Sequence, residues 1–376
     1  MNIRSIALAL PIAFLVSWGG NGVRGEYTIQ SVGLLPGTGQ RSFATDVNNS
    51  GEVVGASEVA PNVFRAYVFT ASGGLRDIGT LGGSTSIASS INNRGVVVGA
   101  SDVAPGVQQA FVYDRVGGIR NIDPVAGRSS YANAINDSGL VVGYLVDTAG
   151  MTTHAFVYRP ETGLVDLGTF GGTAAQANGI NARGTIVGSY TTAAGFDHAF
   201  VYDETTGLVD LGTLGGNFSQ AYGINDHGQI VGVSTTSTGA QHAFLYDAAR
   251  GMRDLGTLGG IVSKPVSINN HGQVVGASAD GSGRIRAFIW TESTGLRDLL
   301  SQVQPGSNWG VLTEADAIND FGQIVGFGGD PTSRPRGFLM TPTSIPVPEP
   351  AGTALTLIGL AATGLFRVIR RRSRVA

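Results

Sequence analysis

Three histidines recur at a fixed interval of 44 residues, each directly ahead of Ala-Phe: His154, His198 and His242. Imidazole is the commonest metal ligand and a ready general base at neutral pH. One shared ion would need all three nitrogens within about 2 Å of it. Equal spacing of this length instead places the rings at equivalent points of successive structural units, well apart. A local partner is the better reading. Twelve residues beyond each histidine stands Asp166, Asp210 or Asp254. If Phe156 pairs opposite Asp166 in a hairpin, His154 lies diagonal to that carboxylate on the same face. The same geometry would pair Arg65 with Asp77 and Arg286 with Asp298. His227 and His271 fall in turn sequences and are expected to be solvated.

Other chemistries leave weaker marks. Asn48, Asn92, Asn136, Asn181, Asn225, Asn269 and Asn319 repeat like calcium-loop residues. The alternating carboxylates such loops need are missing, so these are turn formers. The glycine runs at 79–83, 168–172, 212–216 and 256–260 lack the Lys-Ser/Thr and helix opening of a phosphate cradle; they read as connectors. Between the repeated segments lies a loop of changing composition, and six of its copies carry an acid: Glu58, Asp102, Asp147, Asp197, Asp280 and Asp330. Variable loops on a regular scaffold are where binding sites sit. These acids form a candidate binding rim for sugar hydroxyls, cations or a basic partner, with ordinary solvated loop acids as the plain alternative. Trp309, in the longest insertion (301–313), either adds a stacking surface there or packs beneath the insertion. No catalytic residue, metal site or cofactor is expected.

The elements that must carry these residues follow from the repeat. The segment Asn48-Asn49-Ser50-Gly51-Glu52-Val53-Val54-Gly55 occurs in seven copies, with its turn glycine at intervals of 44, 44, 45, 44, 44 and 50 residues. A fixed period in this range means one supersecondary unit stacked to share a core. Each unit reads as four short strands, the first two joined by an Asn-x-x-Gly turn. The third strand, as in Ala155-Phe156-Val157-Tyr158, is apolar on both faces and must be covered on both. The last unit has no fourth strand, whereas Tyr27–Gly33 looks like a fourth strand without a unit. Joining them closes a ring and removes an exposed sheet edge. The sequence therefore predicts an all-β, seven-bladed β-propeller of 28 strands over residues 26–342, closed by its N-terminal strand. An open β-solenoid is the competing architecture.

The ends read as addresses. Arg4, the apolar run 6–16 and the small residues 19–25 form a signal peptide over 1–25, with a cut expected after Gly25. At residues 343–376, Val347-Pro348-Glu349-Pro350 precedes a charge-free segment, 351–366, expected to be a transmembrane helix. Arg367, Arg370, Arg371, Arg372 and Arg374 follow and mark the cytoplasmic side. These three parts, in this order, resemble the PEP-CTERM sorting signal of Gram-negative bacteria. That resemblance implies recognition by an exosortase, with attachment to the inner membrane before processing.

The repeats resemble the HAF family of extracellular repeats, through His154-Ala155-Phe156, His198-Ala199-Phe200 and His242-Ala243-Phe244. Arg65-Ala66-Tyr67, Gln109-Ala110-Phe111, Arg286-Ala287-Phe288 and Arg336-Gly337-Phe338 depart from the motif. The family implies an extracellular or surface location and supplies no catalytic residues. The whole chain has 24 basic and 27 acidic residues. Without Arg4, Arg24, the five tail arginines and Glu349, the body keeps 17 and 26, a net charge near −9. That surface repels phosphate backbones, so no nucleic-acid partner is expected. With no cysteine, an exported chain must rely on its packed core.

The expected function is a non-catalytic binding propeller at the cell surface or in the extracellular matrix, with exopolysaccharide or other surface proteins as partners. A carbohydrate-active hydrolase or lyase is the alternative, and a spacer that binds nothing is a third reading.

Overall fold

The computed structural model of the chain describes residues 26–147, 152–329 and 334–343. The expected signal peptide (1–25), the sorting motif and helix with their arginine cluster, and Asp330 lie outside the described residues. Among those residues, no helix is long and apolar enough to cross a membrane.

Among the described residues the architecture is an all-β, propeller-like fold of 28 strands and a single turn of 3₁₀ helix. Its third copy of the repeat is representative: Arg128–Ile135, Val141–Asp147, Thr153–Arg159 and Gly163–Gly168 form one antiparallel sheet in chain order. Five sheets have four strands. The eight-stranded sixth is two such sheets joined by one parallel bridge, Gln241 to Val262. The strand Tyr27–Ser31 pairs antiparallel with Pro335–Pro342, Ile29 opposite Met340 and Ser31 opposite Phe338. It supplies the fourth strand that the last copy lacks. Successive first strands neighbour one another all the way round, and Val311–Ile318 of the last copy packs on Ser42–Val47 of the first. The path closes on itself, as a solenoid's does not.

Local sequence dictates each sheet. The third strand is apolar on both faces because both are covered: Ala155 and Phe156 are fully buried and Val157 nearly so. Burying one such phenylalanine contributes about 1.5–3 kcal/mol, and six units repeat it at Phe111, Phe156, Phe200, Phe244, Phe288 and Phe338. The core is divided into clusters, each spanning two adjoining sheets. One joins Val98, Ala110 and Val112 to Ala132, Val141 and Phe156, and another joins the last sheet to the first through Val325, Leu339, Val53 and Tyr67.

Every first strand carries a bulge at the same place, between Ala132 and Ala134 in the third unit. It brings the first strand's backbone against the glycine of the Val-Val-Gly strand: a Cβ on Gly143 would sit 1.9 Å from the Tyr131 carbonyl. That close approach explains why Val-Val is followed by glycine in the repeat. Buried serines stitch unit to unit. Ser130 Oγ accepts the Ala110 amide at 2.9 Å, Ser219 the Ala199 amide and Ser263 the Ala243 amide. Ser42 accepts the Gly337 amide at 3.1 Å and closes the series.

Candidate functional site

The repeated asparagines do more than form turns. Asn136 Oδ1 accepts the Ser138 and Leu140 amides within its own turn, and its Nδ2 donates to the Asn181 carbonyl of the next unit at 3.0 Å. All seven behave alike. Asn48 donates to Asn92, Asn92 to Asn136, Asn181 to Asn225, Asn225 to Asn269, Asn269 to Asn319, and Asn319 back to Asn48 at 2.9 Å. A closed circle of buried hydrogen bonds therefore surrounds the axis at the hairpin-turn end. The sequence signal was the invariant first asparagine, stricter than a turn alone requires.

Inside this circle lies a cavity of about 200 Å³. The residue after each asparagine lines it: Asn49, Asn93, Asp137, Ala182, Asp226, Asn270 and Asp320. These make a second circle in which Asn93 Oδ1 accepts the Asn49 amide, Asp137 the Asn93 amide, Asp226 the Ala182 amide and Asp320 the Asn270 amide. Ala182 has no side-chain acceptor and breaks it. Three carboxylates at this mouth make it acidic. Among the described residues, no three His, Cys, Asp or Glu side chains cluster so as to hold a metal ion.

Deeper along the axis, the extra residue of each bulge is one of six types over the seven units: Thr45, Ser89, Asn133, Asn178, Tyr222, Val266 and Asp316. Several reach the neighbouring first strand. Thr45 donates to the Ala88 carbonyl at 2.8 Å, Asn133 to Ala177 at 2.9 Å and Asn178 to Ala221 at 2.8 Å. Around Tyr222 and Asp316 the pattern becomes ionic. Lys264 Nζ stands 4.8 Å from the centre of the Tyr222 ring and 3.7 Å from Glu314 Oε1. Burial, with help from Glu314, pushes the Tyr222 hydroxyl up to about 12. Burial also raises the Asp316 carboxyl well above the usual range; the Glu314 charge adds to this and Lys264 opposes it. Sequence reasoning passed over this cluster, although departure from the repeat at one fixed position marked it.

The nominated rim acids lie at the opposite end. The connector packs there on the loop between second and third strands, as where the Gly83 amide donates to the Asp102 carbonyl. Their carboxylates are mostly engaged within that end. Glu58 is buried, pairs with Arg41 at 2.8 Å and accepts the Gln40 and Asn62 amides. The Arg41 guanidinium and those amides hold it down at about 2. With Arg41 it lines a cavity of about 400 Å³. Asp102 accepts the Thr85 amide and the Gln108 side chain, Asp197 the Thr191 hydroxyl, and Asp280 the Ser282 and Arg284 amides. The Ser282 hydroxyl and the Arg284 amide lower Asp280 strongly. Asp147 is exposed. Trp309 packs edge-on against Phe338, ring centres 5.9 Å apart, and joins the core beneath the insertion.

The histidine pairs form as the hairpin register requires. Phe156 lies opposite Asp166, and His154 Nδ1 is 2.9 Å from Asp166. His198 with Asp210 and His242 with Asp254 match it at 2.9 and 2.8 Å. The arginine versions do not follow. Arg286 turns to Asp280 at 3.4 Å, and the Asp298 carboxylate caps the 3₁₀ turn Leu299–Gln302 through the Leu300 amide. Arg65 leaves its buried Nε unbonded, while Asp77 accepts the Gly79 amide. The aspartates that pair with histidine accept the same amide two residues on, so what differs is the longer, branched guanidinium. Of the remaining histidines, His227 is exposed and His271 contacts the Asp320 carbonyl at 3.0 Å.

No family model matches the chain, and no curated protein does. Solved structures do. The β-propeller domain of the Trilobed protease from Pyrococcus furiosus is 13% identical with a TM-score of 0.54, over 83% of this chain and all of that one. Puromycin hydrolase is 15% identical with a TM-score of 0.52, over 82% of this chain and 54% of that one. The acylaminoacyl peptidase of Pyrococcus horikoshii is 12% identical with a TM-score of 0.52, over 79% and 51%. The chain thus spans about half the length of these two enzymes. At such identities the likeness establishes the fold alone: this chain is a β-propeller.

Proposed function

We propose that the chain is a seven-bladed, non-catalytic binding propeller, exported and displayed at the cell surface or in the extracellular matrix. Seven asparagine links and seven first-strand bulges support that blade number. The signal peptide and HAF-type repeats support export, and the PEP-CTERM-like tail supports sorting by an exosortase. Exopolysaccharide and other surface proteins are the partners this location offers. The observation that carries the reading is a contrast. The polar groups that repeat hold the ring together, whereas Thr45, Ser89, Asn133, Asn178, Tyr222, Val266 and Asp316 vary on the innermost strands. A constant scaffold with a variable axial lining suits recognition. The test is a glycan-array and pull-down survey of the purified protein beside a Tyr222→Ala, Lys264→Ala variant. Binding lost in the variant supports the axial site. Binding to no extracellular component refutes it in favour of a spacer.

One observation favours a carbohydrate-active enzyme as second reading. Glu314 and Asp316 share the axis, and the Asp316 carboxyl is pushed towards its protonated form. Glycoside cleavage uses two carboxyl groups, one of which favours its protonated form. Polysaccharide chain scission abolished by both Asp316→Asn and Glu314→Gln would establish it; no scission by the unaltered protein rules it out.

A further inference from the structure

The wall between the first and second units holds a cleft of about 230 Å³ at the hairpin-turn end, on the outer side of the ring. Its polar lining is Arg76, Arg115, Glu52 and Thr70, over a floor that includes Val68 and Tyr113, both buried. Arg115 pairs with Glu52, which also accepts the Asn48 amide group at 2.8 Å. Arg76, on the edge strand Gly74–Asp77, is exposed and makes no hydrogen bond or ion pair among the described residues. Two guanidinium groups against one carboxylate leave the cleft one positive charge in excess, on a body that is otherwise acidic.

The other units show how this position is ordinarily neutralised. The place of Arg115 is taken by Pro160, Glu204, Ala248, Glu292 and Pro342 in later copies. Where arginines face Glu204 or Glu292 the charges close: Arg159 pairs with Glu204, and Arg253 and Arg250 share Glu292 at 3.0 and 3.9 Å with the Asp247 carboxylate nearby. Arg120, which stands where Arg76 does, is neutralised by Asp114 of its own hairpin at 2.8 Å. Arg297 has Pro342 rather than a second arginine across from it. In the first cleft the second arginine, Arg76, has no such partner among the described residues, and the two guanidinium groups line a cavity.

We propose that this cleft binds a carboxylate-bearing saccharide residue, a single hexuronate ring, with the carboxylate between Arg76 and Arg115. Planar guanidinium groups match carboxylate geometry and carry the stronger, charge-assisted hydrogen bonds. The volume is below that of a drug-sized pocket and suits one ring. Tyr113 and Val68 give its apolar face a floor, and Thr70 offers a hydroxyl at the edge. The carboxylate assignment stands on the cleft alone; the saccharide rests on the binding reading above.

The test is calorimetric titration of the purified protein with D-glucuronate, D-glucose and acetate. Glucuronate is expected to bind, glucose at least about tenfold more weakly, and acetate detectably but below glucuronate. Arg76→Ala, at a side chain without partners, should weaken glucuronate about tenfold without altering the far-UV spectrum or the melting midpoint. Glu52→Gln, which removes the competing charge, should tighten it. Glucose binding as well as glucuronate, or glucuronate unaffected by Arg76→Ala, would overturn the proposal. Acetate equal to glucuronate would overturn its saccharide part. Because Arg76 lies far from the axis, the Tyr222→Ala, Lys264→Ala variant should titrate normally, so failure of the axial site and failure of this cleft are read separately.

Discussion

Replacing Asn136 tests the circle of asparagines directly. The side chain is 6% exposed and makes four hydrogen bonds: Nδ2 to the Asn181 carbonyl, and Oδ1 from the Ser138 amide, the Ser138 hydroxyl and the Leu140 amide. At about 1 kcal/mol net for each, Asn136→Ala should lose about 4 kcal/mol, and more if the buried Asn181 carbonyl finds no water. Asn136→Asp separates the two roles. Its carboxylate keeps the acceptor for the turn but sets a second oxygen against the Asn181 carbonyl, so the bond between units becomes a repulsion. Protonated, the same group can donate again. Burial and that repulsion should raise its folded pKa above the unfolded value. Stability relative to the unaltered protein is then greatest below the unfolded value and falls as pH rises through the folded one. Guanidinium unfolding followed by far-UV circular dichroism at pH 4 and pH 8 measures both effects. A loss below about 1 kcal/mol for Asn136→Ala would refute the reasoning, and a pH-independent penalty for Asn136→Asp would refute its electrostatic half.

Four further outcomes follow from the geometry. Gly143→Ala, whose Cβ would meet the Tyr131 carbonyl at 1.9 Å, should destabilise by more than about 3 kcal/mol or prevent folding, while Gly310→Ala, with nothing within 4 Å, should be near neutral in the same melting assay. Asp316→Asn should be more stable than the unaltered protein at pH 8, because a raised carboxyl pKa gives stability that is lost as pH rises; the difference should vanish on acidification below about pH 4. Glu58→Gln should be destabilised at pH 7, and the gap should close as pH falls from the ordinary carboxylate range towards about 2, where the Glu58 carboxylate itself protonates. Removing residues 26–31 should expose the Pro335–Pro342 edge and produce concentration-dependent association by light scattering, whereas the intact protein stays dispersed.

Much of the architecture was legible because it repeats. The period, the double-faced Ala-Phe-Val-Tyr strand and the stray Tyr27–Ser31 strand led to a ring, and the His154–Asp166 register came from hairpin pairing alone. The site was less legible, for physical reasons. A bulge shifts pairing by one residue, and residue types do not say where the shift falls, so Thr45 and Asp316 read as ordinary strand residues, set apart only by departing from the repeat. Loop acids such as Glu58 and Asp280 looked available because sequence does not reveal that neighbouring amides and arginines occupy them. The Arg65 and Arg286 pairings failed because a strand diagonal says which side chains are near, not how far each one extends. Arg76 and Arg115 lie 39 residues apart in different units, and only the packed wall between them makes a cleft.

The circle of asparagine links has an electrostatic consequence. Its seven amide-to-carbonyl dipoles run head to tail around the axis, so the components that lie across the axis cancel and the ring favours no one side of the opening. The formal charges that line that opening belong to Asp137, Asp226 and Asp320, none of which is a link of the hoop, so a few side-chain substitutions could reverse their sign without removing any of its seven bonds.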